Sequence, residues 1–345
     1  MKGWISLSKP RSMRIRRRRK RKRKLRLALL TLFFVVASAY GSYEYLAGKN
    51  QANKNSSSVA QGEEASSAEE SKYKEEFKGV DNKDDKINIL LLGSDQREDE
   101  QARTDTIMIA QYDTKEQTAK LASIMRDTYI NIPGYGYNKI NAAFSFGGPE
   151  LLRQTISENF GIEPEYYSIV DFEGFTQIVD TISPDGIEVD VEKDMKYKDG
   201  AGTIDLDLQE GKQKLDGEEL LGYARFRNDE EGDFGRVERQ QKVIRLMKEE
   251  LISFKGVLKA PRLIGTIQPY IDTNIDNGKI LQLGKDFLFN PVKDIETLRI
   301  PTNDNYWNER KDYPIGLVLN HDESQTREDL QAFFEKGKQE ESPSE

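Results

Sequence analysis

No cysteine occurs among the 345 residues, which excludes disulfides, zinc–thiolate centres and thiol nucleophiles. That absence fits a protein exported without oxidative folding. Histidine is almost missing too: His321 stands alone near the C-terminus, so imidazole relays and histidine-rich metal centres are excluded. A single histidine remote from other polar clusters is expected at the surface rather than as a base. Chemistry must therefore rest on Asp, Glu, Arg, Lys or Tyr. No internal repeat is visible.

Charge is present in abundance but is unevenly spread. Residues 1–26 hold 14 of the 52 Lys and Arg and no Asp or Glu, which leaves 38 basic against 60 acidic residues in the rest. A body that acidic is a poor general binder of nucleic acid, because phosphate affinity depends on Lys and Arg. It suits divalent cations better.

The basic run Arg14–Arg26 leads into the apolar stretch Leu27–Ala39, and Tyr40, Tyr43 and Tyr45 follow. A basic run alone is compatible with a nucleic-acid patch, but contact with an apolar segment argues against that. A cleaved signal peptide is a second reading, with Ala37-Ser38-Ala39 resembling a cleavage site. The favoured reading is an uncleaved transmembrane anchor over residues 27–46 with a tyrosine belt at its outer interface. Either export reading keeps the Arg-rich tail, residues 1–26, in the cytoplasm and the remainder outside. Residues 47–85 are rich in Ser, Glu, Lys and Asn without apolar periodicity and are expected to form a flexible extracellular stalk. A folded domain is expected over residues 86–338, with a disordered tail at 339–345.

From Lys86 onward strand and helix patterns alternate. Apolar runs predict strands at Ile87–Leu92, Thr106–Tyr112, Lys120–Met125, Tyr166–Val170, Gly186–Val191, Thr297–Ile300 and Ile315–Leu319. Helical spacing predicts helices at Pro149–Phe160 (closed by Gly161), Phe172–Ile182, Gly217–Tyr223 behind an Asp216 cap, Gly235–Phe254, Pro261–Tyr270, Asn277–Phe289 and Arg327–Lys336. The alternation predicts an α/β fold: a three-layer α/β/α domain around a mixed central sheet, preceded by one transmembrane helix.

Three clusters carry chemistry. In Asn88–Asp95 and Arg103–Thr106, Asp95 lies past the end of one strand and Asp105 opens the next. Neighbouring strands would bring both carboxylates to one sheet edge, where a hard divalent cation completed by water and substrate oxygens fits. Turn and cap duty is the alternative reading. In Ser123–Tyr129, Arg126 again sits at a strand end. The Gly- and Asn-rich segment Gly134–Gly148, with Lys139 and Asn141, reads as a loop that matches no phosphate-loop fingerprint. The third cluster is Tyr223–Ile244. If Ala224–Asn228 is extended, Arg225 and Arg227 share a face. Asp233 is placed to cap the following helix, and Arg236 and Gln240 lie on its inward stripe with Val243, Ile244, Met247 and Leu251. An inward arginine at the positive end of a helix is unfavourable unless an anion sits there. Guanidinium groups and helix N-terminal amides would make a pyrophosphate clamp. A salt-bridge network with Asp229, Glu230, Glu231 and Asp233 is the competing account.

Taken together, LLLGSD (Leu90–Asp95), RTDT (Arg103–Thr106), RDTY (Arg126–Tyr129), NKINAA (Asn138–Ala143), VDFEGF (Val170–Phe175), LDGEELLGYARFR (Leu215–Arg227) and GDFGRVERQQ (Gly232–Gln241) resemble the motif set of the LytR-CpsA-Psr family. Ile124–Asp127 and Ile132–Gly136 are similar to its MsrR-type subgroup, although Met125 stands where many relatives have proline. The resemblance implies a Mg²⁺-dependent phosphotransferase, with Mn²⁺ as a substitute. Such an enzyme moves a teichoic-acid-like glycopolymer from undecaprenyl pyrophosphate to the 6-hydroxyl of N-acetylmuramic acid in peptidoglycan. It implies a Gram-positive cell-membrane protein, single-pass, with its catalytic domain outside and no nucleic-acid partner. Carried over, Asp95 and Asp105 hold the metal, and Arg103, Arg126, Arg225, Arg227, Arg236, Arg239, Gln240 and Lys139 grip the pyrophosphate. Asp233 is the base, with Arg225 and Arg227 beside the reacting group. Phosphoryl transfer needs mainly positioning and charge neutralisation, so a site without His or Cys is adequate. A membrane-bound transcriptional attenuator, a lipid-pyrophosphate-binding module and a pyrophosphatase are the other readings, since water and a sugar hydroxyl would use the same clamp. Protease added to protoplasts is expected to remove the domain and leave the Arg-rich tail intact; complete protection of the chain on immunoblots would reverse the orientation.

Overall fold

The computed structural model describes residues 39–52, 71–80, 85–95, 103–198 and 205–335. The basic tail, residues 27–38 of the expected anchor and the 339–345 tail lie outside the described residues. Among the described residues no helix is long and apolar enough to cross a membrane.

One six-stranded sheet organises the domain. From edge to edge it runs β11 (Ile271–Thr273), β6 (Tyr166–Asp171), β1 (Lys86–Asp95), β2 (Arg103–Asp113), β3 (Thr118–Ile124) and β12 (Ile295–Ile300). The β1–β6 and β3–β12 pairs are parallel, whereas β1–β2, β2–β3 and β6–β11 are antiparallel, so the sheet is mixed. Side chains alternate across it. Leu90, Leu92, Ile107, Ile109, Ala122 and Ile124 bury one face against Ile140, Leu152, Ile156 and Phe160 of α2 (Ile140–Phe160) and Leu330 and Phe334 of α8 (Glu323–Glu335). On the opposite face, α5 (Gly232–Ile252) reaches β3 and β12, and Gln241 Nε2 donates to Ser123 Oγ and Leu298 O at 3.0 Å each. There α3 (Phe172–Ile182) covers β1 and β6, with α4 (Gly217–Arg225) and α6 (Phe254–Ile267) behind. The result is a three-layer α/β/α arrangement. A second core, including Val179, Val189, Leu215, Leu220, Tyr223 and Val243, holds α3, α4 and α5 to two small hairpins. The hairpins are β7 (Ile187–Val191) with β10 (Gly211–Leu215), and β8 (Met195–Lys198) with β9 (Asp205–Leu208). Asp216 caps α4 in a reciprocal capping box with Glu219.

Several expectations change. The Gly- and Asn-rich segment is not one loop. It forms a hairpin, β4 (Tyr129–Ile132) with β5 (Gly136–Lys139), and then enters α2 at Ile140. That helix breaks at Gly147 and Gly148, where Gly148 has φ 61° and Pro149 restarts it. The segment expected as a stalk contains packed residues: Phe77 is buried in the main core, its ring 4.8 Å from that of Tyr167. Helix α1, residues 39–52, lies against α6. Glu44 pairs with Arg262 at 2.6 Å, and Gly48 and Gly265 allow so close a crossing that a Cβ at either would strike backbone oxygen of the other helix. The outer end of the expected anchor, up to residue 46, is thus held by the domain. His321 is buried rather than exposed, with Nδ1 2.7 Å from Thr326 Oγ1, and burial pushes its pKa below the ordinary value.

The domain therefore starts before Lys86. Phe77→Ala is expected to lower the unfolding free energy by about 3–5 kcal/mol, measured by urea denaturation of the full-length chain. An unchanged midpoint would return residues 71–80 to the stalk.

Candidate functional site

Strand direction brings the chemistry-bearing residues together. The C-terminal ends of β1, β6, β3 and β12 and the start of β2 all lie at one end of the sheet. Ligands gather at such strand ends in α/β domains. Asp95 closes β1 opposite Arg103, which opens β2; their side chains lie outside the described residues. Next to them the ladder slips, with Gly93 facing Thr106 and Ser94 facing Thr104. Asp105 is the extra residue of that bulge. Bulges re-aim side chains at sheet ends, and Asp105 turns toward the residues that follow β3.

There it meets Arg126, Nη1 to Oδ1 at 2.6 Å. The same guanidinium lies 3.3 Å from Asp233 and 3.5 Å from Asp127. Asp127 in turn pairs with Lys139 at 2.7 Å. Asp233 also pairs with Arg236 at 3.2 Å, and Gln240 Nε2 donates to Thr106 Oγ1 at 3.0 Å. The spacing of Arg236 and Gln240 on one helix face thus aims both at the start of β2. Asp233 is not the cap of α5, which begins at Gly232 after Glu231. It lies in the first turn, where a carboxylate suits the positive helix end.

The charges are unevenly satisfied. Burial works against ionisation of Asp105, but Arg126, Arg236 and Arg227 outweigh it and hold its carboxyl below the usual range. Arg126 is also buried, yet Asp105, Asp233 and Asp127 raise its pKa. Arg236 differs: burial and the nearby positive charges of Arg126 and Arg227 lower its pKa despite Asp233 and Asp105. The Nε atoms of both Arg126 and Arg236 have no hydrogen-bond partner among the described residues. Positive charge at Arg236 is under-compensated, so an added anion there would be stabilised.

Other expected residues fall elsewhere. Arg225 is not on a strand beside Arg227. It ends helix α4, and its guanidinium stacks 4.0 Å above the Phe172 ring, just past the end of β6. Helix geometry overrides the alternation expected of an extended segment. Arg227 is exposed beyond Phe226. Arg239 is turned away: Nη1 pairs with Asp229 at 3.1 Å and Nη2 donates to Phe226 O at 2.6 Å, tying α5 to the end of α4. Asp127 was not among the assigned site residues, although RDTY contains it; its signal was adjacency to Arg126.

The expected metal ligands Asp95 and Asp105 would offer carboxylate oxygens, hard donors of the kind that suit Mg²⁺ when water and substrate complete the shell. No group of three or more His, Asp or Glu that could hold a metal gathers among the described residues.

The sequence profile of the LytR_cpsA_psr family matches residues 42–329. The chain belongs to the LytR_cpsA_psr family. It is 47% identical over 231 residues to regulatory protein MsrR of Staphylococcus aureus strain COL, which spans 67% of this chain and 69% of that one. It is 35% identical over 206 residues to the polyisoprenyl-teichoic acid–peptidoglycan teichoic acid transferase TagU of Oceanobacillus iheyensis, covering 58% of this chain and 62% of TagU. Among solved structures, TagT bound to LIIa-WTA superposes with a TM-score of 0.57 at 26% identity, over 73% of this chain and 91% of that one.

Arg236 and Arg239 differ in a measurable way. Arg239→Ala strips a buried partner from Asp229, with Lys193 at 3.2 Å as the remaining cation, and is expected to cost about 3 kcal/mol. Arg236→Ala relieves an under-compensated charge and is expected to change the melting temperature much less. Equal losses in thermal unfolding would make Arg236 a structural bracket.

Proposed function

We propose that this LytR_cpsA_psr protein is a cell-wall glycopolymer transferase. It moves a phospho-glycopolymer of teichoic-acid type from undecaprenyl pyrophosphate to the 6-hydroxyl of N-acetylmuramic acid in peptidoglycan. The observation that carries the proposal is the convergence at one sheet end of Arg126, Arg236 and Gln240 with Asp105 and Asp233. The similarity to TagU and to ligand-bound TagT supports the substrate class. The proposal includes the outward-facing topology.

In this reading Arg236, Arg227 and Gln240 receive the pyrophosphate, with Arg103 at the start of β2 beside them, while Lys139 is held by Asp127 at the edge of the site. Arg225, over Phe172 at the same sheet end, reaches the group only from the β6 side. Arg239 holds α5 and α4 in place and contributes through position. Asp95 and Asp105 would hold Mg²⁺, or Mn²⁺, which when bound supplies charge neutralisation at the phosphate oxygens. Asp105, Asp127 and Asp233 would repel an incoming dianion without such a counter-charge. Asp233 takes the proton of the acceptor hydroxyl, and that oxygen forms a bond to the phosphorus nearer the glycopolymer. The bond from that phosphorus to the bridging oxygen breaks, and undecaprenyl phosphate leaves. The arginines neutralise charge that develops on the transferred group, which is where electrostatic stabilisation accelerates the reaction.

Full-length chain in detergent with lipid-linked glycopolymer, Mg²⁺ and glycan strands is expected to form polymer-linked strands. Arg236→Ala is expected to slow linkage by roughly 30- to 1000-fold, and Asp105→Ala or metal chelation to abolish it. Cleavage of the pyrophosphate without linked product would favour a pyrophosphatase. Binding without either would favour the regulatory role in the MsrR name.

A further inference from the structure

The β4–β5 hairpin exposes aromatic rings beside the charged site. Gly134 and Gly136, with φ 79° and 74°, flank Tyr135 and turn it outward at the tip. Tyr135 is 57% exposed and stacks at 4.6 Å and 17° on Phe146, itself 42% exposed. On β5, Tyr137 and Lys139 share a face by strand alternation. Tyr129 faces Lys139 across the hairpin, and its ring is 5.4 Å from that of Tyr137. Lys139 then joins Asp127, and Asp127 lies beside Arg126. The strip from Tyr135 to Lys139 spans roughly 13 Å at about 3.3 Å per residue and ends in the site.

Large aromatic rings left in water next to a reaction site mark a recognition surface. The rim is polar: the Tyr137 hydroxyl is held by Glu323, and Lys311 lies 4.5 Å above the Tyr129 ring. Apolar ring faces with polar edges match a pyranose, which offers a C–H face and peripheral hydroxyls. Charge selects between sugar sources. The lysines on the strip are already neutralised, Lys139 by Asp127 at 2.7 Å and Lys311 by Glu309 at 2.5 Å. An anionic polymer therefore gains nothing there, whereas an uncharged glycan has nothing to lose. Position selects the same way. The hairpin packs with α2 on one side of the sheet, while the anchor-proximal helix α1 grips α6 in the layer across it.

Resting on the transferase reading, we propose that the strip Tyr135–Tyr137–Tyr129 docks the acceptor, an extended, uncharged chain of N-acetylated hexopyranoses, and leads its hydroxyl toward Asp233.

The test measures binding without turnover, so it remains readable if transfer fails. Full-length chain in detergent is titrated calorimetrically with soluble, uncharged strands of β-1,4-linked N-acetylglucosamine, and separately with a short-chain lipid-pyrophosphate donor. The parent is expected to bind the strands. Tyr135→Ala/Tyr137→Ala is expected to weaken that binding about 10-fold or more, the scale for loss of stacked aromatic anchors, with donor binding retained. Tyr137→Trp, which keeps a ring at that position, is expected to retain strand binding. Tyr135→Ser alone, at an exposed turn, and melting temperatures for each variant separate lost contact from lost fold. A parent that does not bind strands, variants that bind them as the parent does, or a loss confined to the donor would each overturn the proposal.

Discussion

The guanidinium of Arg126 links several elements at this end of the sheet. It touches Asp105 on β2, Asp233 on α5 and its own neighbour Asp127, which carries the link on to Lys139 on β5. An ion pair made in partial burial is strong only when several partners satisfy the same group, because a lone buried charge is heavily penalised. Three carboxylates around one arginine meet that condition. They also set the polarity of what remains: Arg236, close by, is left with less compensation than its burial demands.

This division of charge explains how one site can be rigid and still receptive. Arg126, with its three carboxylates, holds β2, α5 and the β4–β5 hairpin in register. Arg236 offers the free energy that an anion would gain by entering. The bulge at Asp105 is the local device that makes the arrangement possible, since a regular ladder would place consecutive side chains on opposite faces.

The same frame separates the site into two approaches. Helices α1 and α6 are clamped through Gly48 and Gly265, which fixes the chain leaving the described domain relative to the sheet. The aromatic hairpin sits in the layer beyond the sheet, with α2. Under the proposed transferase function, donor and acceptor would meet at one sheet end from different sides.

The sequence alone determined the fold class, because alternating strand and helix periods with buried apolar runs admit few layer arrangements. It also picked out Asp105, Arg126, Asp233, Arg236 and Gln240, which the structure brings together: they lie at element ends or on one helix stripe, and such positions follow from local spacing. Only tertiary structure decided the rest. Arg225 is misplaced because α4 continues two residues further than its apolar pattern, and Arg239 because its partners Asp229 and Phe226 O depend on how α5 folds back on α4. Phe77 and His321 were assigned to stalk and surface since burial of an isolated residue leaves no periodic mark. The β4–β5 hairpin was read as a loop because its glycines signal turns, while its strands are four residues each. Strands that short gain their stability from α2 and β14 (Leu317–Asn320) packed against them, and no local pattern records a neighbour supplied from elsewhere in the chain.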